Sequence, residues 1–306
     1  MRAKHIRRVF TFVILLIAFS AGLYSQRVDV IEWYRGVSAP VLPEAVGYEE
    51  IVQPVEEQMD EKIEVLPNEE EPTDVEEPVI EEEPEEPAEE VVDDTPVVEE
   101  EPGVEEEVVF PASLNLAVPF TSQAPHGNWD EPYQEACEEA SVYMVHAYFE
   151  GVPEGRIPAD TADLDLLKIV AFEEELFGYY EDTTAEKTGV FAELMFGHTY
   201  RLIEDPTVDQ IKAELVAGRP VIVPAAGRLL GNPYFTAPGP IYHMLVIRGY
   251  TQDDQFIVND PGTSRGESFL YDFDTLLYAL HDWNNGGEIN QGRKVVIVLK
   301  IGRAHV

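Results

Sequence analysis

The stretch Gln134-Glu135-Ala136-Cys137-Glu138-Glu139-Ala140-Ser141 decides how the rest of this chain is read. A loop containing Pro125 and Pro132 turns there into an apolar segment. Ala140, Ser141, Met144, Val145 and Tyr148 follow Cys137 at the spacing of one helical face. That spacing predicts a helix over 135–150, with the single cysteine of the chain at its start. With one cysteine no internal disulfide forms. A lone thiol in an oxidising compartment is either buried and inert or kept for chemistry.

Working outward, more helices come first. Asp160 or Thr161 can cap a second helix that runs to Phe177 before Gly178. A third is expected over Gly189 to Phe196, and a fourth over Thr207 to Val216, between Pro206 and Gly218. The pattern then changes. Pro220 to Val223, Tyr242 to Ile247, Phe256 to Asn259, Phe269 to Tyr271 and Val295 to Leu299 are short, apolar and rich in β-branched residues, as strands are. Phe273 to His281 reads as a helix between the last two. Helices followed by strands predict an α+β domain, its helices packed on a mostly antiparallel sheet.

This domain is expected to fill residues 109–306, and three unlike segments precede it. Residues 1–25 combine a basic start (Arg2, Lys4, Arg7, Arg8) with an apolar run from Val9 to Tyr24. The charge bias predicts an anchor with its N-terminus in the cytoplasm and the remainder exported. The run is short for ~30 Å of hydrocarbon, so a cleaved signal peptide and a secreted product form the competing reading. Residues 26–48 form a juxtamembrane stretch without an assigned role. Residues 49–108 are low in complexity: Glu49 to Glu107 holds 28 acidic residues, eight prolines, no aromatics and one lysine, Lys62. Such a segment buries too little apolar surface to offset its ordering entropy, and it is expected to be a solvated, stiffened spacer.

The full chain carries a net charge of −40. About −16 of that falls on Val108 to Val306, so the domain has no surplus of cations to replace counterions around phosphates. Nucleic acid is therefore not an expected partner. One cysteine and scattered histidines give no zinc-ligand spacing, and no metal or cofactor is called for.

Three residues can carry chemistry. At a helix start, unpaired N–H groups and the positive dipole end would lower the pKa of the Cys137 thiol. The neighbouring carboxylates Glu138 and Glu139 would raise it, but helical geometry is expected to turn them away from the sulfur. His243 opens the run Tyr242-His243-Met244-Leu245-Val246-Ile247 after a loop rich in glycine and proline. Asp260 closes Phe256-Ile257-Val258-Asn259-Asp260-Pro261-Gly262, where turn chemistry alone would also account for it. His126 could line such a site, whereas His146 lies too far along the helix of Cys137 to pair with it. Trp129, Tyr133, Tyr234, Phe235 and Tyr242 are candidates for cleft walls or for core.

The joint pattern is more specific than its parts. Val118-Pro119-Phe120-Thr121-Ser122-Gln123-Ala124-Pro125, then Trp129, Glu135-Ala136-Cys137-Glu138-Glu139-Ala140-Ser141, His243-Met244-Leu245-Val246-Ile247-Arg248-Gly249-Tyr250 and Asn259-Asp260-Pro261-Gly262 follow one another in order. Together they resemble the papain-like cysteine peptidases related to bacteriocin-processing, double-glycine-leader peptidases, over Leu114 to Ile301. The resemblance implies a papain-like fold and a peptide or protein substrate. It also implies Cys137 as nucleophile, His243 as general base and acid, Asp260 as orienter of the ring and Gln123 as oxyanion donor. Gln134 is a rival donor, because Gln123 precedes Cys137 by fourteen residues. Glu138 stands where a glycine is often found. The expected activity is that of a membrane-tethered, extracytoplasmic cysteine peptidase. The alternatives are a surface-displayed binding module on the same fold, or a transglutaminase-like or cell-wall amidase enzyme with the same chemistry.

Overall fold

A computed structural model describes residues 41–51 and 110–302. In chain order its elements are strand β1 (Leu114–Asn115), helices α1 (Cys137–Phe149), α2 (Ala159–Phe177) and α3 (Ala185–Phe196), strand β2 (Thr199–Glu204), helix α4 (Val208–Val216), strands β3 (Val221–Ala226), β4 (Tyr242–Tyr250), β5 (Gln255–Asn259) and β6 (Phe269–Asp272), helix α5 (Phe273–Ala279) and strand β7 (Val295–Lys300). The strands form one sheet in the order β2-β7-β3-β4-β5-β6, with every pairing antiparallel. β1 adds to β4 beyond the end of β3, Leu114 facing Tyr250. The domain is α+β with an antiparallel sheet, as its order of helices and strands predicts.

Burial explains the order of elements. All residues of β3 and β4 are buried, so the middle of the sheet is covered on both faces. This is why both segments read as apolar runs and not as alternation. α1 packs against β4, and α3 packs against β2 and β7. α1 is buried on nearly every side; its residues from Cys137 to Phe149 are all buried except His146. A helix apolar all round is what an encased position selects, and Glu138 and Glu139 are exceptions buried with it.

Three boundaries differ from the sequence expectation. α2 starts at Ala159 behind Pro158, with no side-chain cap from Asp160 or Thr161. α3 starts at Ala185, capped by the Thr184 hydroxyl, and Gly189 lies inside it. A Cβ at Gly189 would stand 2.3 Å from the Tyr200 ring, so the glycine permits the close approach of β2 and does not mark a helix start. β2 itself has no counterpart in the sequence reading: Thr-Tyr-Arg-Leu-Ile-Glu is an edge strand, partly exposed, paired only to β7.

Residues 41–51 lie on the same folded unit as 110–302. Val46 forms a parallel bridge to Leu116, followed by a helical turn over 48–51. No described helix is long and apolar enough to cross a membrane. The expected anchor, 1–25, and residues 52–108 of the expected spacer lie outside the described residues.

β4 carries an irregularity between Ile247 and Gly249. There the wholly buried Arg248 donates Nε–H to Leu116 O at 2.8 Å and pairs with Glu154. A Cβ at Gly249 would lie 2.2 Å from the Leu114 carbonyl oxygen, a backbone atom with no room to yield. Gly249→Ala is expected to cost about 1–3 kcal/mol by overpacking. Its melting temperature should fall by about 2–4 °C for each kcal/mol; an unchanged thermal melt would show that β1 is free to move away.

Candidate active site

His243 and Asp260 meet at neighbouring strand ends. Antiparallel pairing sets Val246 of β4 opposite Asn259 of β5, so the start of β4 and the residue after β5 come to the same edge. His243 Nε2 lies 2.7 Å from Asp260 Oδ1, with both side chains buried. Asp260 accepts three further bonds: from Gly262 N–H on Oδ1 at 3.0 Å, and on Oδ2 from Asn232 Nδ2 at 2.9 Å and Tyr271 Oη at 2.8 Å. Burial pushes this carboxyl up. The imidazole of His243 and the donors Tyr271 and Asn232 outweigh burial and hold it below the ordinary carboxylate range. A charged acceptor at Nε2 keeps the proton on that nitrogen and leaves Nδ1 as the basic one. The ring is also clamped. Phe235 stands edge-on to it at 5.3 Å, and a Cβ at Gly262 would lie 2.8 Å from Cε1.

Cys137 begins α1 and is 7 % exposed. The packing of α1 on β4 brings its sulfur to the residue after His243, where the Met244 N–H favours the thiolate. Stronger influences oppose it. Burial raises the thiol pKa well above the ordinary value, and Glu138 and Glu139 raise it further. Sγ donates to Glu138 Oε2 at 2.9 Å, and the Thr183 N–H bonds Glu138 Oε1 at 3.0 Å. The expectation that both carboxylates turn away from the thiol is thus corrected. α1 has no solvent face on that side, so Glu138 finds its partners inside. No hydrogen bond joins the Cys137 sulfur to the His243 ring in this arrangement.

Gln123 is buried in the loop before α1. Its Nε2 donates to Tyr133 O and Gln134 O, each at 2.9 Å, while its backbone N–H bonds Pro261 O at 3.0 Å. It braces the turn after Asp260 to the loop that delivers Cys137, with both amide hydrogens engaged. Gln134 is exposed and donates to Glu131 at 2.6 Å. Of the two glutamines, only Gln123 belongs to the buried centre.

The remaining candidates separate. His126 stands at the surface, 3.3 Å from Asp160. His146 pairs with His198 at 3.0 Å. Trp129 is exposed, and Tyr242 is buried with its hydroxyl donating to Thr183 O. Among the described residues, no group of three or more His, Cys, Asp or Glu is placed to hold a metal ion. Asn232 and Tyr271 escaped the sequence reading. Asn232 lies in a Gly/Pro-rich stretch that reads as a connection, and Tyr271 in a strand that reads as core.

The thiol of Cys137 thus lies against the strand whose His243 is bonded to an ionised aspartate. The chain belongs to the Peptidase_C39 like family, whose model matches residues 115–288, over half of the chain. It is a cysteine peptidase by that membership. Solved structures similar to it include a putative C39-like peptidase from Bacillus anthracis, at 15% identity and a TM-score of 0.41, covering 62% of this chain and 99% of that one. Another is xylellain, a cysteine protease from Xylella fastidiosa, at 15% identity and a TM-score of 0.28, covering 64% of this chain and 88% of that one. No relative was matched among curated proteins.

Two expectations follow from the carboxyls around Cys137. Glu138→Gln removes a negative charge from the thiol, so the pH profile of iodoacetamide alkylation should move to lower pH by about one unit or more; an unmoved profile would clear Glu138 of that role. Glu139 and Glu173 are buried and face each other, sharing a carboxyl-to-carboxyl hydrogen bond. Burial raises both pKa values, and Glu139 raises Glu173 further. The folded state therefore holds protons that the unfolded chain releases above about pH 4.3, so stability falls as pH rises from there toward the raised values. Glu173→Gln should flatten that fall, which thermal unfolding at pH 5 and pH 8 would show.

Proposed function

We propose that this chain is an exported, membrane-tethered cysteine peptidase that cleaves peptide bonds through Cys137, His243 and Asp260. The observation that carries the reading is the 2.7 Å contact of His243 Nε2 with an ionised, four-bonded Asp260, which leaves Nδ1 basic beside the helix start of the lone thiol. The export and tether rest on the basic start and the apolar run of residues 1–25.

In the working cycle, rotation about the Cα–Cβ bond of Cys137 takes the sulfur from Glu138 to His243 Nδ1. The imidazole accepts the thiol proton, and the thiolate attacks the substrate carbonyl carbon. The tetrahedral oxyanion is held by the Cys137 N–H and by the Gln123 amide, which gives up one of its two carbonyl partners. His243 returns the proton to the leaving amine as the C–N bond breaks. Water, deprotonated by His243, then attacks the thioester and releases the acid, and the proton passes back to sulfur. Asp260 holds the ring and stabilises its charged form throughout.

One observation favours a second reading. The thiol is sealed against Glu138 and held protonated by its surroundings, as suits a binding module whose cysteine is inert.

The test is hydrolysis of a peptide library together with labelling by a thiol-reactive peptidyl probe. Cys137→Ala should abolish both, and His243→Ala should reduce turnover on the order of 10³-fold or more, each with the thermal melt retained. Full activity in either variant removes the mechanism. Labelling of wild-type Cys137 no faster than free cysteine near neutral pH would favour the binding module.

A further inference from the structure

The segment ahead of the acidic stretch is bound to the domain at three places, although residues 52–109 separate it from the nearest described residue downstream. The Val46 N–H donates to Asn115 O at 2.8 Å, and Val46 O accepts from the Ala117 N–H at 2.8 Å. Asn115 Nδ2 donates to Pro43 O at 3.1 Å. Tyr48 packs edge-on against Phe149 at 5.1 Å and against Tyr148 at 5.7 Å, at the C-terminal end of α1. Ile51 and Tyr48 lie over Gly218, where a Cβ would come within 3.2 Å of Ile51. Tyr48 and Ile51 both pack on the main hydrophobic core.

These contacts combine two complementary modes of recognition. Main-chain hydrogen bonds add an extended segment to β1, and apolar side chains fill the surface next to it. The strip lies at the end of α1 opposite Cys137, so its occupation leaves the catalytic centre untouched.

We propose that residues 41–51 are an intramolecular clasp: the domain carries a docking strip for the chain that leads into the acidic stretch. The strip is made by β1, the Tyr148–Phe149 end of α1 and the Gly218 turn. Its occupant is a Val-x-Tyr-x-x-Ile segment supplied by this chain, bridged at Val46 and helical over 48–51. One consequence rests on the membrane tether proposed above. With 41–51 docked, the acidic residues add nothing to the reach of the domain from its anchor. That reach is set by residues 26–40, at most about 50 Å when fully extended.

The test uses the full chain in detergent, with peptidase activity playing no part in the readout. A lysine-specific protease is used to cut the acidic stretch at Lys62, since 41–51 contains no lysine, and the products are separated by size. The fragment containing 41–51 should remain with the domain, and Tyr48→Ala or Val46→Pro should release it. Because a micelle could hold fragments together, hydrogen exchange of residues 114–118 in the uncut chain provides a second reading. The Ala117 amide should be protected in the wild type and should exchange at least about tenfold faster in either variant. Release of the wild-type fragment from a folded domain, or exchange unaffected by both substitutions, overturns the clasp. A chain that proves not to be membrane-anchored would remove only the consequence for reach.

Discussion

The encasement of α1 is the constraint on which the rest of the structure depends. Once this helix lies against β4 with nearly every side covered, its first residue is fixed beside the strand that bears His243. The same packing determines the environment of the thiol. Cys137, Glu138 and Glu139 are all taken out of water together, so the sulfur finds a carboxylate for company where a surface helix would have left it solvent. Position and reactivity therefore have one cause, and they pull in opposite directions.

The other half of the centre is arranged to opposite effect. Asp260 is as buried as Glu139 and Glu173, yet four donors hold it in its charged form, whereas those two glutamates bond chiefly to each other and are held neutral. Burial acts on all three carboxyls alike, and partners decide the outcome. Asn232 and Tyr271 matter for this reason. They keep Asp260 ionised and aimed at the ring. Gln123 joins the two halves, fastening the turn after Asp260 to the loop that ends at Cys137.

Much of this was legible in the chain. The apolar spacing after Cys137 anticipated α1 to within two residues, and the apolar runs anticipated β3, β4, β5 and β7, because strands buried on both faces leave that record; the edge strand β6 showed through Phe269 and Tyr271. The edge strand β2 left none, since half of its residues face water and only β7 pairs with it. Gly189 misled because a glycine in sequence marks a break, while here it makes room for Tyr200. His243 and Asp260 could be named as candidates from strand ends, but Asn232, on a loop, gave no signal until the fold brought it to Asp260.

The sequence by itself determined the class of fold, the family motifs and the short set of residues able to do chemistry, because periodicity and residue type are local properties. Tertiary structure alone decided which of those residues meet. It turned Glu138 toward the sulfur, engaged both amide hydrogens of Gln123, and laid residues 41–51 on the domain. Each of these depends on what lies across a buried boundary from a side chain, and neighbours brought together by folding are not written in the order of the chain.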